Sequence, residues 1–574
     1  MIQTDKKSEI REALFGISPW LNRVILFSLL TNILVLTPSW YMLEVYDRVV
    51  NSRNHRTLLM LTLLVVGLYA LLEAIEWIRS SIMHEAGRDF DKRLRERVFD
   101  SVLSARLRNL PSGASGQALN DLRLMRDFIS SNVILAFLDA PLALIVLVFL
   151  FMINPILCWF AIGGAVAQFL IGFFNERRIR QPLQQANRGS LVAQIYAGGV
   201  LRNAQVIESM GMLDALKTRW ILRQKDFLSK QAEASDSAGT NAALSKLTQS
   251  LLSSLMLGMG CWLTIKGEMV GSGMIVGSIL GGRILSPLVQ IIGNWRQVDG
   301  ARDAYSRLDS LLGNFPAETT TMPLPAPNGN LLVENITAGP PGTTLQILKN
   351  VGFRVAAGDS VAIVGPSASG KTTLARLLVG VWSPMNGKVR LDGSDIFAWN
   401  KAELGPHIGY LPQTVELFDG TIAENVSRFG IPDPEKVREA CRLVGLEGFI
   451  ETLPEKYETM IGDDGSFLSG GQRQRVALAR AVYGMPKYVV LDEPNSSLDE
   501  AGDAALFAAL SHLKSAGTTV IVVTHRLQLL GAIDYLLILV DGQIRQFGPR
   551  DQVLAAMQQK PAPAQAEPTE GRKA

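Results

Sequence analysis

Cysteine is scarce in this chain. Cys158, Cys261 and Cys441, three residues of 574, are too few and too scattered for a disulfide framework or a metal cluster, so reduced structural thiols are expected. Charge is scarce as well. Only 19% of residues are Asp, Glu, Lys or Arg against 48% hydrophobic, and the apolar residues gather into long runs in the first half. That distribution excludes a soluble enzyme of this size, whereas the second half alone reads as ordinary globular protein. Nor is one sign in excess: Lys+Arg 56 against Asp+Glu 53 gives a net charge of +3 and no argument for a nucleic-acid partner. Where the charges sit is the informative quantity.

A hydrocarbon core about 30 Å thick requires about 20 apolar residues of helix. Six segments meet that requirement, at 20–43, 57–77, 133–153, 155–174, 244–265 and 269–292. The first is too long for a signal-peptide core and has no small-residue cleavage site, so it is expected to stay as an anchor. Lys and Arg are retained on the cytoplasmic side of a membrane. Here they crowd into 79–132 and 175–243, whereas the turn at Asn154-Pro155 has none and Lys266-Gly267-Glu268 has one of each sign. Both termini are therefore expected in the cytoplasm, although three arginines in 44–56 run against that topology.

The two inner segments have helical spacing without an apolar run, which predicts membrane helices extended into the cytoplasm. Glycine and proline place their tips near 109–113 and 197–211. Two readings stay open there: solvated connections, or helices that touch a cytoplasmic motor. Two charges fall within spans, Asp139 and Arg283. A charge at mid-bilayer costs about 2.5–3.5 kcal/mol unless paired or hydrated. Each therefore either is a pathway residue, with Arg283 the better candidate because Asp139 lies nearer the cytoplasmic surface, or serves an internal ion pair or packing. Gly273, Gly277 and Gly281 recur at four-residue spacing and predict close helix packing.

From 313 to 330 four prolines and no apolar periodicity read as a linker. A strand at 360–364 then leads into Gly365-Pro366-Ser367-Ala368-Ser369-Gly370-Lys371-Thr372-Thr373 and a helix, which is the phosphate-binding loop in its confirming context. Its backbone amides curl around phosphate oxygens, with the helix N-terminus behind them. Lys371 is expected to neutralise the β- and γ-phosphates, and the Thr372 hydroxyl to ligate Mg²⁺. Further on, Tyr488-Val489-Val490-Leu491-Asp492-Glu493 is a buried-strand pattern ending in two carboxylates. Asp492 is expected to hold Mg²⁺ through water, and Glu493 to orient and deprotonate the attacking water. Another strand at 518–523 ends at Thr524-His525.

Between these motifs stands Leu468-Ser469-Gly470-Gly471-Gln472-Arg473-Gln474-Arg475, a glycine pair opening a helix. It resembles the signature of the ATP-binding cassette (ABC) transporters. The resemblance implies that Ser469, Gly470, Gly471 and Gln472 of one subunit close over ATP held by the other, so that hydrolysis needs a homodimer. It also implies that Gln413 in Leu411-Pro412-Gln413 is the lid-coupling glutamine and a Mg²⁺ ligand, Asp499 the dimer-loop aspartate and His525 the γ-phosphate switch. The family usually stacks an aromatic ring on adenine, yet Leu331 to Gly352 contains no Phe, Tyr or Trp, and Gly339-Pro340-Pro341-Gly342 stands near that place.

The implied fold is a multidomain membrane protein. A cytoplasmic segment (1–19) precedes a six-helix all-α transmembrane domain of the type I ABC exporter kind (20–312). After the linker (313–330) comes an α/β P-loop nucleotide-binding domain with a helical subdomain (331–557), then a disordered tail (558–574). Thr459-Met460-Ile461-Gly462-Asp463-Asp464-Gly465 resembles the exporter-specific loop. The segments Pro38 to Val49, Phe137 to Pro141, and Asp492-Glu493-Pro494-Asn495-Ser496-Ser497-Leu498-Asp499 are similar to type I secretion exporters of the protease, lipase and hemophore group, most of which carry Thr where this chain has Asn495.

Membership of that group implies an ATP hydrolase of the Gram-negative inner membrane, in contact with membrane lipid and joined to a periplasmic membrane-fusion adaptor and an outer-membrane channel protein. Its cargo is an unfolded protein with a C-terminal signal. The short stretch before the first span leads us to expect no amino-terminal peptidase domain. Two other classes compete: a lipid or drug exporter with the same homodimeric architecture, and a cassette used as a regulatory ATP-binding module. The intact catalytic set and the six spans disfavour the second.

Overall fold

The structure is a computed structural model that describes residues 8–107, 112–317 and 322–558. It divides into two compact units, one within the first 318 residues and one formed essentially by the residues after them.

In the first unit every described element is helical. The short α1 (Glu9–Gly16) precedes α2 (Ser18–Leu34) and α3 (Thr37–Glu44), which a π-helical turn continues through Val50. There follow α4 (His55–Leu107), α5 (Ser112–Ile129), α6 (Asn132–Ile153) and α7 (Pro155–Arg202). Beyond them lie α8 (Ala204–Ser209), α9 (Leu213–Ile265), α10 (Gly271–Gly293) and α11 (Trp295–Asn314). At about 1.5 Å per residue, α4 and α9, each 53 residues long, reach far beyond a hydrocarbon core. The inner segments are thus the helical extensions that the spacing predicted.

Their tips need correction. Asn109, Leu110 and Pro111 of the first tip lie outside the described residues. In the second, Gly198 and Gly199 sit inside α7, because an isolated glycine weakens a helix without ending it. The chain turns at Asn203 and again at Gly211, both within the expected 197–211, and the φ of +63° at Gly211 is in the left-handed region.

Five of the described helices are long and apolar enough to cross a membrane, where six were expected; the missing one is 244–265, the last part of α9. Its hydropathy is diluted by polar residues that face other helices. The Gln249 side chain donates to the Gly282 carbonyl at 2.9 Å, and the hydroxyls of Ser253 and Ser278 each donate to the other's carbonyl, at 3.0 and 2.7 Å. Buried Ser245 accepts from Gln168 of α7. Polar groups that would be costly in lipid are satisfied helix to helix, so composition alone understates this segment. On α10 the glycine spacing serves packing as expected. A Cβ on Gly277 would come within 2.9 Å of the Leu157 side chain, and one on Gly281 within 2.0 Å of the Met256 sulfur.

Of the two charges within spans, Asp139 is accounted for by an ion pair. Arg79, 1% exposed, donates to both its oxygens at 2.8 and 2.9 Å, reaches Glu76 at 3.0 Å, and Asn32 donates to Asp139 at 3.3 Å. Arg283 is exposed on α10.

The second unit begins with an extended run, Met322 to Asn330, fastened at its end. The Asp392 carboxylate accepts the backbone N–H groups of Asn328, Gly329 and Asn330. Strands β1 (Leu331–Ala338), β2 (Leu348–Val355), β4 (Asn386–Leu391) and β5 (Ser394–Asp395) make an antiparallel sheet in the order β2-β1-β4-β5. The larger sheet runs β10-β9-β3-β8-β7-β6. It comprises β3 (Ser360–Val364), β6 (Ile408–Leu411), β7 (Tyr488–Asp492), β8 (Thr519–Val523), β9 (Tyr535–Val540) and β10 (Gln543–Pro549), all parallel except β10. Strands β7 and β8 are buried at every position, as their unbroken apolar sequences require in a sheet covered on both faces.

Helix α12 (Lys371–Leu378) follows the phosphate loop, and a helical layer follows the sheet edge. That layer contains α13 (Lys401–Leu404), α14 (Ile422–Val426), α15 (Pro434–Leu443), α16 (Glu447–Ile450) and α17 (Gly470–Val482). Helices α18 (Glu500–Ser515) and α19 (Arg550–Gln558) complete the unit. The expected tail lies almost wholly outside the described residues, which end at Gln558.

Replacing Asp139 by Ala removes the bidentate partner of the buried Arg79 guanidinium and leaves it Glu76 alone. The expected cost is about 3–5 kcal/mol, read as a lowered thermal midpoint of the detergent-purified protein, with most of it recovered when Arg79 is also replaced by Met. An unchanged midpoint for Asp139→Ala would show that the pair carries no such strain.

Candidate functional site

Four neighbouring parallel strands, β3, β8, β7 and β6, point their carboxyl ends to one edge of the sheet. From that edge emerge, in the same order, the phosphate loop, Thr524-His525, Asp492-Glu493 and Gln413. Residues as far apart in sequence as Gly365 and His525 meet there because the strands are parallel and adjacent.

The loop folds tightly around its own lysine. Gly370, at φ +99°, caps α12 in the left-handed region, and a side chain there would meet Leu348 at 2.8 Å. A Cβ on Gly365 would fall 2.1 Å from the Leu539 carbonyl, so only glycine fits. Lys371 is 8% exposed, and its ammonium donates to the carbonyls of Gly365 and Pro366 at 3.0 and 2.9 Å. The cation is thereby held among the amides of residues 365–373, beside the positive end of α12. The Ser369 hydroxyl is buried with no partner.

A short polar chain crosses from the loop to the carboxylates. The Thr372 hydroxyl donates to Gln413 Oε1 at 3.3 Å, and Gln413 Nε2 donates to Glu493 Oε2 at 3.1 Å. The His525 Nδ1 lies 3.9 Å from the other Glu493 oxygen. Glu493 itself has φ +51°, an unusual value for a side-chain-bearing residue, and is pinned by its N–H donating to the Val523 carbonyl at 2.9 Å.

Asp492 is fully buried, and among the described residues neither of its carboxylate oxygens is closed by a well-formed hydrogen bond, the Thr372 hydroxyl being the side-chain donor beside it. Burial pushes its carboxyl up to about 6; the Thr372 side chain opposes that rise, the neighbouring Glu493 charge adds to it, and Arg376 and Lys371 pull it down. Such a group is energetically incomplete. A divalent cation supplies the missing charge partner, and hard oxygen donors such as Asp492, Thr372 and Gln413 are the set Mg²⁺ accepts. The residues present therefore fit the metal.

Ser469 to Gln472 are placed differently. Ser469 caps α17, its hydroxyl accepting from the Gln472 N–H at 3.3 Å while the Gln472 side chain accepts from the Ser469 N–H at 2.8 Å. Among the described residues no hydrogen bond or ion pair joins these four to the phosphate loop. Asp499 caps α18 through the Gly502 N–H at 2.8 Å and pairs with Arg475 of α17.

Two contacts escaped the sequence reading. Gln474, 3% exposed, donates to the Pro494 carbonyl at 2.8 Å and to that of Glu493 at 3.3 Å, and with the Arg475–Asp499 pair it ties α17 to the catalytic strand. The available signal was an uncharged polar residue on the apolar face of an amphipathic helix. Asn495 is also fully buried, with neither amide atom paired. Pro340 and Pro341 are half-buried between β1 and β2.

Residues 21–280 match the ABC transporter transmembrane region and 348–496 match the ABC transporter family. The chain is 40% identical to the type I secretion system ATP-binding protein PrsD of Rhizobium meliloti (strain 1021), over 92% of this chain and 91% of that protein. It is 26% identical to the leukotoxin translocation ATP-binding protein LktB of Mannheimia haemolytica, over 91% of this chain and 74% of that one. Among solved structures, a bacterial Atm1-family ABC exporter with ATP bound has the same fold, with a TM-score of 0.83 at 22% identity over 96% of this chain and 99% of its own.

Asp492→Asn removes a buried charge that lacks a well-formed hydrogen bond, and with it the strongest oxygen donor. The nucleotide-free protein should gain thermal stability while losing both ATPase activity and the stabilisation that MgATP confers on the wild type. Thermal scans with and without MgATP read all three, and a variant that still gains stability from MgATP would remove Asp492 from the metal site.

Proposed function

We propose a function on one premise: the chain belongs to the ABC transporter family, and within it to the type I secretion exporters. It is a multi-pass membrane protein that couples ATP hydrolysis to protein export. The observation that supports the site assignment best is the convergence at one sheet edge of the lysine-bearing loop, the buried and incompletely hydrogen-bonded Asp492, and a Gln413 joined to both Thr372 and Glu493.

In this reading Lys371 and the amides of 365–373 bind the β- and γ-phosphates of ATP. Thr372, Gln413 and Asp492 would hold Mg²⁺, which when bound neutralises charge on the phosphoryl oxygens. Glu493 orients the attacking water and accepts its proton, and His525 stands beside it to meet the γ-phosphate. Gln413 keeps the metal ligand Thr372 in register with the base.

The signature belongs to a second copy. The α17 N-terminus makes no polar contact with its own phosphate loop among the described residues, yet a capped helix start with two glycines is an anion site. Closure of two copies, each sealing the other's nucleotide, uses it, and Gln474 and Arg475 carry that closure to Glu493 and Asp499 of the same chain. The homodimer sits in a Gram-negative inner membrane with both termini cytoplasmic. It works with a periplasmic adaptor and an outer-membrane channel on unfolded protein bearing a C-terminal signal. The 40% identity to a type I secretion ATP-binding protein supports this system-level reading.

Glu493→Gln should keep ATP binding and lower turnover by about 10²-fold or more, the usual scale for loss of a general base. Nucleotide binding and phosphate release measured on one preparation test it, and near-wild-type release would take Glu493 out of catalysis. Full-rate hydrolysis by strictly monomeric protein would refute the two-copy site.

A further inference from the structure

One large cavity in the membrane unit has no role in ATP chemistry. It lies between α5, α7 and α11, with a volume of about 490 Å³. That is within the range of ligand-binding clefts, about 300–1,000 Å³. Five carboxamides dominate its wall: Gln117 and Asn120 from α5, and Gln184, Asn187 and Gln194 from α7. Those of α7 fall at spacings of three and seven residues, so they form one stripe along the helix.

The charges around it are largely spoken for. Arg307 of α11 donates to Asp121 at 2.8 and 2.7 Å, Gln117 donates to the same carboxylate at 2.9 Å, and Asp121 is 1% exposed. Asp303 accepts from Gln184 at 3.5 Å. The other lining charges, Arg188 of α7 and Asp303 of α11, are one of each sign, so the wall offers hydrogen bonds in preference to net charge. A phosphate or carboxylate ligand would call for surplus cations, and an acyl chain or apolar drug for an apolar lining.

Each carboxamide presents donors and an acceptor together. Peptide backbone does the same at every residue except proline, whatever the side chain. In a folded protein those groups are already paired, whereas an extended chain leaves them to be bound. We propose that this cavity is a docking site for an extended, unfolded polypeptide segment, held through its backbone. The inference rests on the protein-export reading and locates where the cargo chain is gripped.

Gly300, on the α11 wall, makes the site testable. A Cβ there meets no atom within 4 Å, so Gly300→Trp directs a ring into the cavity with little conflict, while Gly300→Ala leaves it open. The double variant Asn187→Leu/Gln194→Leu removes two carboxamides at exposed positions and tolerates misfolding concerns about the tryptophan. The probe is fluorescently labelled casein, an unfolded polypeptide, added to the full-length protein in detergent and followed by anisotropy.

Wild type and Gly300→Ala should bind alike, and Gly300→Trp and the double variant at least about ten-fold more weakly, with basal ATPase preserved. Equal binding by the wild type and both cavity variants overturns the assignment and leaves export standing. Failure of the wild type itself to bind the unfolded chain overturns this proposal and leaves export, which rests on the relatives, standing.

Discussion

A buried carboxylate without a well-formed hydrogen bond is the constraint around which the second unit is organised. Asp492 sits at the end of a fully buried strand, and neither of its oxygens is closed by such a bond among the described residues. Such a group is unfavourable on its own, and a cation beside it would offset that cost. The parallel strands beside β7 deliver what completes it: a lysine-bearing loop from β3, a histidine after β8 and a glutamine after β6. The fold stores an incomplete electrostatic site, and substrate supplies the remainder.

Geometry beyond the site links chemistry to assembly. Helix α17 begins at the anion-binding signature and, one turn later, hydrogen-bonds through Gln474 to the backbone of Glu493 and Pro494. Its next residue, Arg475, pairs with Asp499 at the start of α18. Helix α17 is therefore joined by direct bonds to the backbone of Glu493 and to the Asp499 side chain. No long pathway separates signature and base, because the helix that Ser469 caps is hydrogen-bonded through Gln474 directly to the backbone at Glu493.

The membrane unit follows a different economy of polar groups. Several of its charged and polar residues are paired across helices: Arg79 with Asp139, Gln249 with the Gly282 backbone, Ser253 with Ser278. In hydrocarbon an unpaired polar group has no water to turn to, so each such pairing also fixes the register of two helices. The carboxamide cavity lies beyond the last apolar run of α7, at positions where the helix has become polar and side chains can remain unpaired.

The sequence by itself determined the local pieces: the strand at 360–364, the strand at 488–492, the helix after the phosphate loop and the long helical extensions all lie where spacing placed them. These are legible because period and end signals act over a few residues. Contacts between distant elements were not. Sequence could not decide whether Asp139 was a pathway residue or half of a pair, because Arg79 is 60 positions away. It overstated the break at Gly198 and Gly199, where packing tolerates glycine within a helix. It read 244–265 as a span on apolar content alone, without the polar contacts that moderate its hydropathy. The Gln474 bonds, the lining of the cavity and the incomplete hydrogen bonding of Asp492 belong to tertiary structure alone, since each depends on which strands and helices became neighbours.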